Sequence, residues 1–123
     1  MTTTKIYKGD CVLQALTIQK QNPQLLLCFS YATLHYKEIS TGNKGDDRVI
    51  HSWCEGITDK GETTCIDFSN NHETIVLQKD YYKVHNINKT KVVRQTIQEV
   101  NECLKKYNYI GGMWFSEFLE ELK

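Results

Sequence analysis

The stretch Thr90–Tyr107, TKVVRQTIQEVNECLKKY, decides how the rest of the chain must fold. Val93, Ile97, Val100, Leu104 and Tyr107 recur at spacings of four, three, four and three, with Val92, Thr96 and Cys103 beside them. That spacing draws one apolar stripe along a 3.6-residue helix, with Arg94, Gln95, Gln98, Glu99, Glu102, Lys105 and Lys106 turned to water. Asn88 or Thr90 is expected to cap its start, which also accounts for the Asn88-Lys89-Thr90 triplet. A one-sided helix needs a surface to cover, and the sequence before it supplies short strands.

Those strands follow from alternation and turn signals. Residues 4–8 alternate as a first strand would. The next run, CVLQALTIQK, fits a helix starting at Asp10 about as well as a strand; β-branched Thr17 and Ile18 favour a strand over Ala15–Lys20, ending in the Asn22-Pro23 turn. Leu25–Tyr31 is a near-continuous apolar run suited to a central strand, continued with alternation through Thr33–Ile39. Ser40–Asp47 reads as a loop, then Arg48–Cys54, Thr63–Phe68, Glu73–Gln78 and Tyr81–Ile87 as strands separated by turns. After the long helix, Gly111-Gly112 forms a hinge before a short amphipathic helix, Met113–Leu122. The expected architecture is α+β, a single domain over residues 1–123: an antiparallel meander of hairpins followed by one or two helices packed on it.

Composition narrows the class. A chain 40% hydrophobic and 24% charged can bury a core, and no apolar run nears the roughly 18 residues of a membrane span. MTTTKIYKGD lacks the pattern of a secretory signal, and five cysteines at irregular spacings suit a reducing compartment, so a cytoplasmic location is expected. The net charge is zero, which disfavours direct nucleic-acid binding through a general basic field. The charge is uneven: residues 46–73 carry Asp46, Asp47, Glu55, Asp59, Glu62, Asp67 and Glu73 against only Arg48 and Lys60, a balance of −5.

Three constellations could carry chemistry. His51, Cys54, Cys65 and His72 have ligand types that suit zinc, but a strand places His51 and Cys54 on opposite faces. No metal or other cofactor is therefore expected. A Cys–His nucleophile pair is available on the same residues, with Cys54 or Cys65 attacking and His51, His72 or His85 as base. The loop Ser40–Gly45 has glycines and a lysine suited to an anion, yet lacks the order of a phosphate-binding loop.

The aromatic content and the acidic middle point elsewhere, to a non-catalytic protein that occludes a macromolecular partner, as immunity and anti-defence proteins do. Asp46, Asp47, Glu55, Asp59 and Glu62 would meet a basic enzyme or toxin, with Trp53 and Tyr82 as anchors. The alternative is a small enzyme or ligand-binding domain with a pocket lined by Tyr31, Tyr36, Trp53 and Tyr82 and with His35 or His51 at its mouth. A third is a homodimer joined through the terminal helix.

Overall fold

The computed structural model describes residues 11–37, 41–69 and 72–107, with the side chains of Tyr36, Lys37, Asp47, Ser69, His72 and Tyr107 left aside. The strand expected at residues 4–8 and the helix expected at Met113–Leu122 lie outside the described residues. The fold is α+β. The elements run α1 (Cys11–Gln21), β1 (Leu26–Lys37), β2 (Lys44–Ile57), β3 (Thr63–Ser69), β4 (His72–Leu77), α2 (Gln78–Val84), a 3₁₀ turn (Lys89–Lys91), β5 (Val93–Gln95) and α3 (Ile97–Tyr107). The sheet is antiparallel, in the order β4-β3-β2-β1-β5.

Its spine is the β1–β2 hairpin, paired without a break from Leu26↔Glu55 to Lys37↔Lys44. Side chains alternate along a strand, so consecutive residues of β1 enter different cores. Leu27 and Phe29 join Ala15, Leu16 and Ile18 of α1, Cys54 of β2 and Val100 of α3 on one face. Cys28 and Ala32 join Trp53, Cys65, Tyr81, Tyr82 and Ile87 on the other. Both faces are covered, which is why the run Leu25–Phe29 is apolar throughout instead of alternating.

Three elements differ from the sequence expectation. Residues 11–21 are helical, not a strand from Ala15. Val12, Ala15, Leu16 and Gln19 follow helical spacing toward the sheet, while exposed Thr17 turns its Oγ1 back to Leu13 O at 2.9 Å. Buried Gln19 donates from Nε2 to Leu25 O and Gln95 O, tying α1 to the start of β1 and to β5. The second difference is α2, where Tyr81–Ile87 had read as the last strand. Adjacent tyrosines on a strand face opposite ways, but about 100° apart on a helix both are buried.

The third difference lies in the organising stretch itself, which is not one helix. Asn88 Oδ1 accepts from Thr90 N and caps the 3₁₀ turn, β5 pairs with Leu27–Phe29, and α3 starts only after Thr96. The start is a capping box: Thr96 Oγ1 accepts from Glu99 N at 3.2 Å, and Glu99 Oε1 accepts from Thr96 N at 2.9 Å. Val93 keeps its place in the core, but as a strand residue. α3 packs on the sheet as expected, through Val100, Cys103 and Leu104.

The connection from β4 to β5 crosses one whole face. α2 leaves the β4 edge and reaches the far edge of β1, where Thr33 N donates to His85 O at 2.7 Å. This crossing carries Tyr81, Tyr82 and His85 over the odd-numbered residues of β2. No helix among the described residues is long and apolar enough to cross a membrane.

Candidate active site

His51, Trp53 and Glu55 alternate along β2 and share the face beneath α2, as do Cys65 and Asp67 of β3. Two polar networks form there. In the first, His51 Nε2 lies 3.0 Å from Asp67 Oδ2 and 3.0 Å from the Tyr81 hydroxyl, and Tyr81 donates to the same Asp67 oxygen at 2.7 Å. All three residues are buried, His51 to 1% exposure. Trp53 stacks beside the imidazole at 6.0 Å, and His85 faces it at 6.3 Å.

The other imidazole nitrogen is the informative one. His51 Nδ1 is the single buried side-chain nitrogen or oxygen among the described residues without a hydrogen-bond partner. The remaining polar neighbour of the ring is the Cys11 side chain, close enough to favour its protonated form. Two groups already occupy Nε2, which leaves Nδ1 as the nitrogen free to exchange a proton. Cys11 opens α1 and is only half-buried, whereas Cys28, Cys54 and Cys65 are buried.

α1 packs on the opposite face of the sheet, so its first residue needs an opening to meet His51. The ladder between β2 and β3 is short. It covers only Cys54–Ile57 against Thr63–Ile66, although both strands continue beyond it. His51 and Asp67 flank the place where the two strands part.

Electrostatics follow from this geometry. Burial alone would lower the His51 pKa, but the hydrogen bond and charge of Asp67, with the nearby Cys11 side chain, outweigh it and lift it to about 9. Burial would raise that of Asp67, yet the bonds from His51 and Tyr81 hold it below the ordinary carboxylate value. Burial and the adjacent Asp67 push Tyr81 well up, so it stays a phenol. Burial, aided by the charge of His51, lowers His85 despite its hydrogen bond to the Thr33 carbonyl. The result is an imidazolium held by a buried carboxylate, with the half-buried Cys11 nearby.

The second network centres on Glu55, 3% exposed. Its Oε2 accepts from Trp53 Nε1 at 2.9 Å, from the Tyr82 hydroxyl, and from Cys65 Sγ at 3.6 Å. Its Oε1 accepts from Gln78 Nε2 at 2.9 Å and Arg94 Nε at 3.0 Å, and Arg94 also donates to the Tyr82 oxygen. Against the cost of burial, the bonds from Tyr82, Trp53 and Arg94 keep Glu55 ionised. One carboxylate thus joins β2, β3, α2 and β5.

This placement corrects part of the expected partner surface. Trp53, Glu55 and Tyr82 are interior groups bonded to one another, because α2 covers the face on which they lie. Asp46, Asp59 and Glu62 are exposed, and Asp46 is paired with His35 Nδ1. Asp47 sits opposite Leu34 in the β1–β2 register. The aromatic pocket does not assemble either: Tyr31 packs in the α1 core and Trp53 and Tyr82 in the α2 core.

Nor do His51, Cys54 and Cys65, three of the candidate zinc ligands, converge. Cys54 Sγ donates to Ala15 O at 3.1 Å on the α1 face, Cys65 is bonded to Glu55, and His51 is held by Asp67. His72 opens β4. Among the described residues no three His, Cys, Asp or Glu side chains are grouped to hold a metal.

The expected Cys–His pair does not assemble on Cys54 or Cys65, and the cysteine that bears on His51 is Cys11. Burial raises the Cys54 thiol to about 12 and lifts Cys65 higher still, which leaves neither suited to attack. The signal for Cys11 was present: a helix beginning at Asp10 would have put a cysteine in its first turn, where reactive thiols are favoured. Comparison with models of known families, with curated proteins and with solved structures finds no match to this chain.

Proposed function

We propose that the protein is a thiol-dependent acyl-transfer enzyme, a small cysteine hydrolase, with Cys11 as nucleophile, His51 as general acid and base, and Asp67 as the group that orients the imidazole. The observation that carries this reading is the buried His51 ring, with Nε2 held by Asp67 and Nδ1 unpartnered beside Cys11. An unsatisfied buried polar atom costs about 1–3 kcal/mol, and such groups call for an explanation by function. Nucleophile, base and orienting carboxylate recur in this order of roles on unrelated folds, and are recognised by geometry, not by sequence position.

The chemistry follows from the two nitrogens. With the ring protonated, the Cys11 sulfur attacks a carbonyl carbon as thiolate and a C–S bond forms. His51 Nδ1–H gives its proton to the departing amine or alkoxide, leaving an acyl-enzyme and a neutral ring. His51 Nδ1 then takes a proton from water, the resulting hydroxide attacks the acyl carbon, the C–S bond breaks and the thiolate is restored. Nε2–H stays on Asp67 throughout. The first amides of a helix lack intrahelical acceptors, so the start of α1 suits a developing oxyanion.

The test is hydrolysis of p-nitrophenyl acetate and of short peptide anilides. Cys11→Ser and His51→Gln should each abolish turnover, and Asp67→Asn should lower it by orders of magnitude, while Cys54→Ser retains it. Turnover that survives Cys11→Ser would overturn the reading. Occlusion of a basic protein partner is the second reading, favoured by the exposed carboxylates of Asp46, Asp59 and Glu62. It would predict a bound partner and no turnover.

A further inference from the structure

Asp67 does not hold His51 alone. The Tyr81 hydroxyl lies 3.0 Å from His51 Nε2 and 2.7 Å from Asp67 Oδ2, closing a triangle of three buried groups. We infer that Tyr81 is a positioning residue that fixes which nitrogen of His51 exchanges its proton with Cys11. This inference rests on the reading of Cys11 and His51 as the working pair.

The reasoning starts from donors and acceptors. Ionised Asp67 can only accept, so the Tyr81 proton points to it and the phenol oxygen presents a lone pair to Nε2. Nε2 then faces two acceptors and must carry a hydrogen in both charge states of the ring. The proton that comes and goes is left to Nδ1, the nitrogen without a partner. A carboxylate alone holds the imidazole by one bond, about which the ring can rock and offer either nitrogen. Two acceptors on separate elements, β3 and α2, fix its plane as well.

The surroundings support a role for the hydroxyl beyond packing. The titratable groups facing this cluster are Cys11 from α1, Asp67 and Cys65 from β3, Tyr81 from α2, and His85 just after it. His85 packs against the Tyr81 ring at 4.5 Å, tilted by 57°, and is itself pinned by the Thr33 carbonyl, so the phenol ring is held without its hydroxyl. Tyr82, the next residue, is anchored separately on Glu55. Tyr81→Phe therefore removes one oxygen from a ring that its neighbours keep in place.

Two measurements test this, with iodoacetamide as the probe. In the wild type, alkylation should fall first on Cys11, and His51→Gln should slow it. Tyr81→Phe should slow it by about tenfold, in line with the 10–100-fold that hydrogen-bond partners of working histidines contribute at metal sites. Rates should be compared at matched melting temperature. Nitrogen-15 shifts of the ring above pH 10 should show a pure Nε2–H tautomer in the wild type and a mixture in Tyr81→Phe.

If Cys11 is not alkylated selectively, or His51→Gln leaves its rate unchanged, the proposed enzyme reading fails. If those effects hold but Tyr81→Phe changes neither rate nor ring shifts, the reading stands and the role of Tyr81 is refuted. A wild-type ring protonated at Nδ1 alone would refute it as well.

Discussion

Replacing Glu55 with Ala should be the most damaging single change outside the apolar core. Five side-chain donors, from Trp53, Cys65, Gln78, Tyr82 and Arg94, lose their acceptor, and the Arg94 cation, 30% exposed, loses its ion-pair partner. Breaking a buried pair from one side costs about 3–5 kcal/mol, against a total stability of roughly 5–15. At about 4 °C per kcal/mol for a chain of this size, the melting temperature should fall by about 12–20 °C. Glu55→Gln keeps one acceptor but turns an amide toward Trp53 and Tyr82, and should cost about 2 kcal/mol. Exposed Glu62→Ala serves as control and should stay within about 0.5 kcal/mol. The assay is urea denaturation followed by circular dichroism and tryptophan fluorescence, with Arg94→Ala completing a double-mutant cycle. A Glu55→Ala loss under 1 kcal/mol, or no coupling between Glu55 and Arg94, would refute the idea that this carboxylate holds α2 and β5 to the sheet.

Further outcomes follow from the same geometry. The His51 pKa is raised from 6.5 to about 9, so its contribution to stability is complete below about pH 6.5 and is lost as pH climbs through 9; that of Asp67 is lowered, so its contribution is complete above about pH 3.8 and is lost on acidification below that. Thermal melts should accordingly show wild type losing stability between pH 6.5 and 9 more steeply than Asp67→Asn, and parallel curves would contradict the pairing. Val100→Asp should prevent folding, because Val100 is 2% exposed between α3 and the sheet, and a soluble cooperative variant would refute that docking. Thr96→Ala should cost about 1 kcal/mol by removing the α3 cap, measurable by urea denaturation, where the periodicity of the stretch had marked Thr96 only as a flank of the stripe.

The class of the fold was legible because two periodicities coexist in the chain. The stripe through Val100 and Leu104 required a helix against a surface, and the turn-punctuated segments from Leu25 to Leu77 required strands. What misled were places where tertiary packing overrides local preference. Thr17 and Ile18 favour strands by χ1, yet α1 is helical because Val12, Ala15, Leu16 and Gln19 reach the sheet only at helical spacing. Tyr81-Tyr82 reads as β, yet a helix is what lets Tyr81 serve Asp67 while Tyr82 serves Glu55.

The site was only partly visible. The strand was read as ending at Cys54 and α2 as a strand, so Glu55, Trp53 and Tyr82 looked like surface groups, whereas α2 covers the face they share. Charge counting along a sequence cannot tell a solvated carboxylate from one sealed among five donors. Cys11, His51, Asp67 and Tyr81 come from four separate elements, and no local spacing links them.

The most direct test of the enzyme reading is capture of its covalent intermediate. Wild-type protein mixed with p-nitrophenyl acetate, quenched in acid within the burst and examined by intact-mass and peptide mass spectrometry, should carry one acetyl group, on Cys11. His51→Gln should acquire it slowly, and Cys11→Ala should carry none. An unmodified wild type, or acetyl on another residue that survives Cys11→Ala, would contradict the assignment of Cys11, His51 and Asp67 as a catalytic triad.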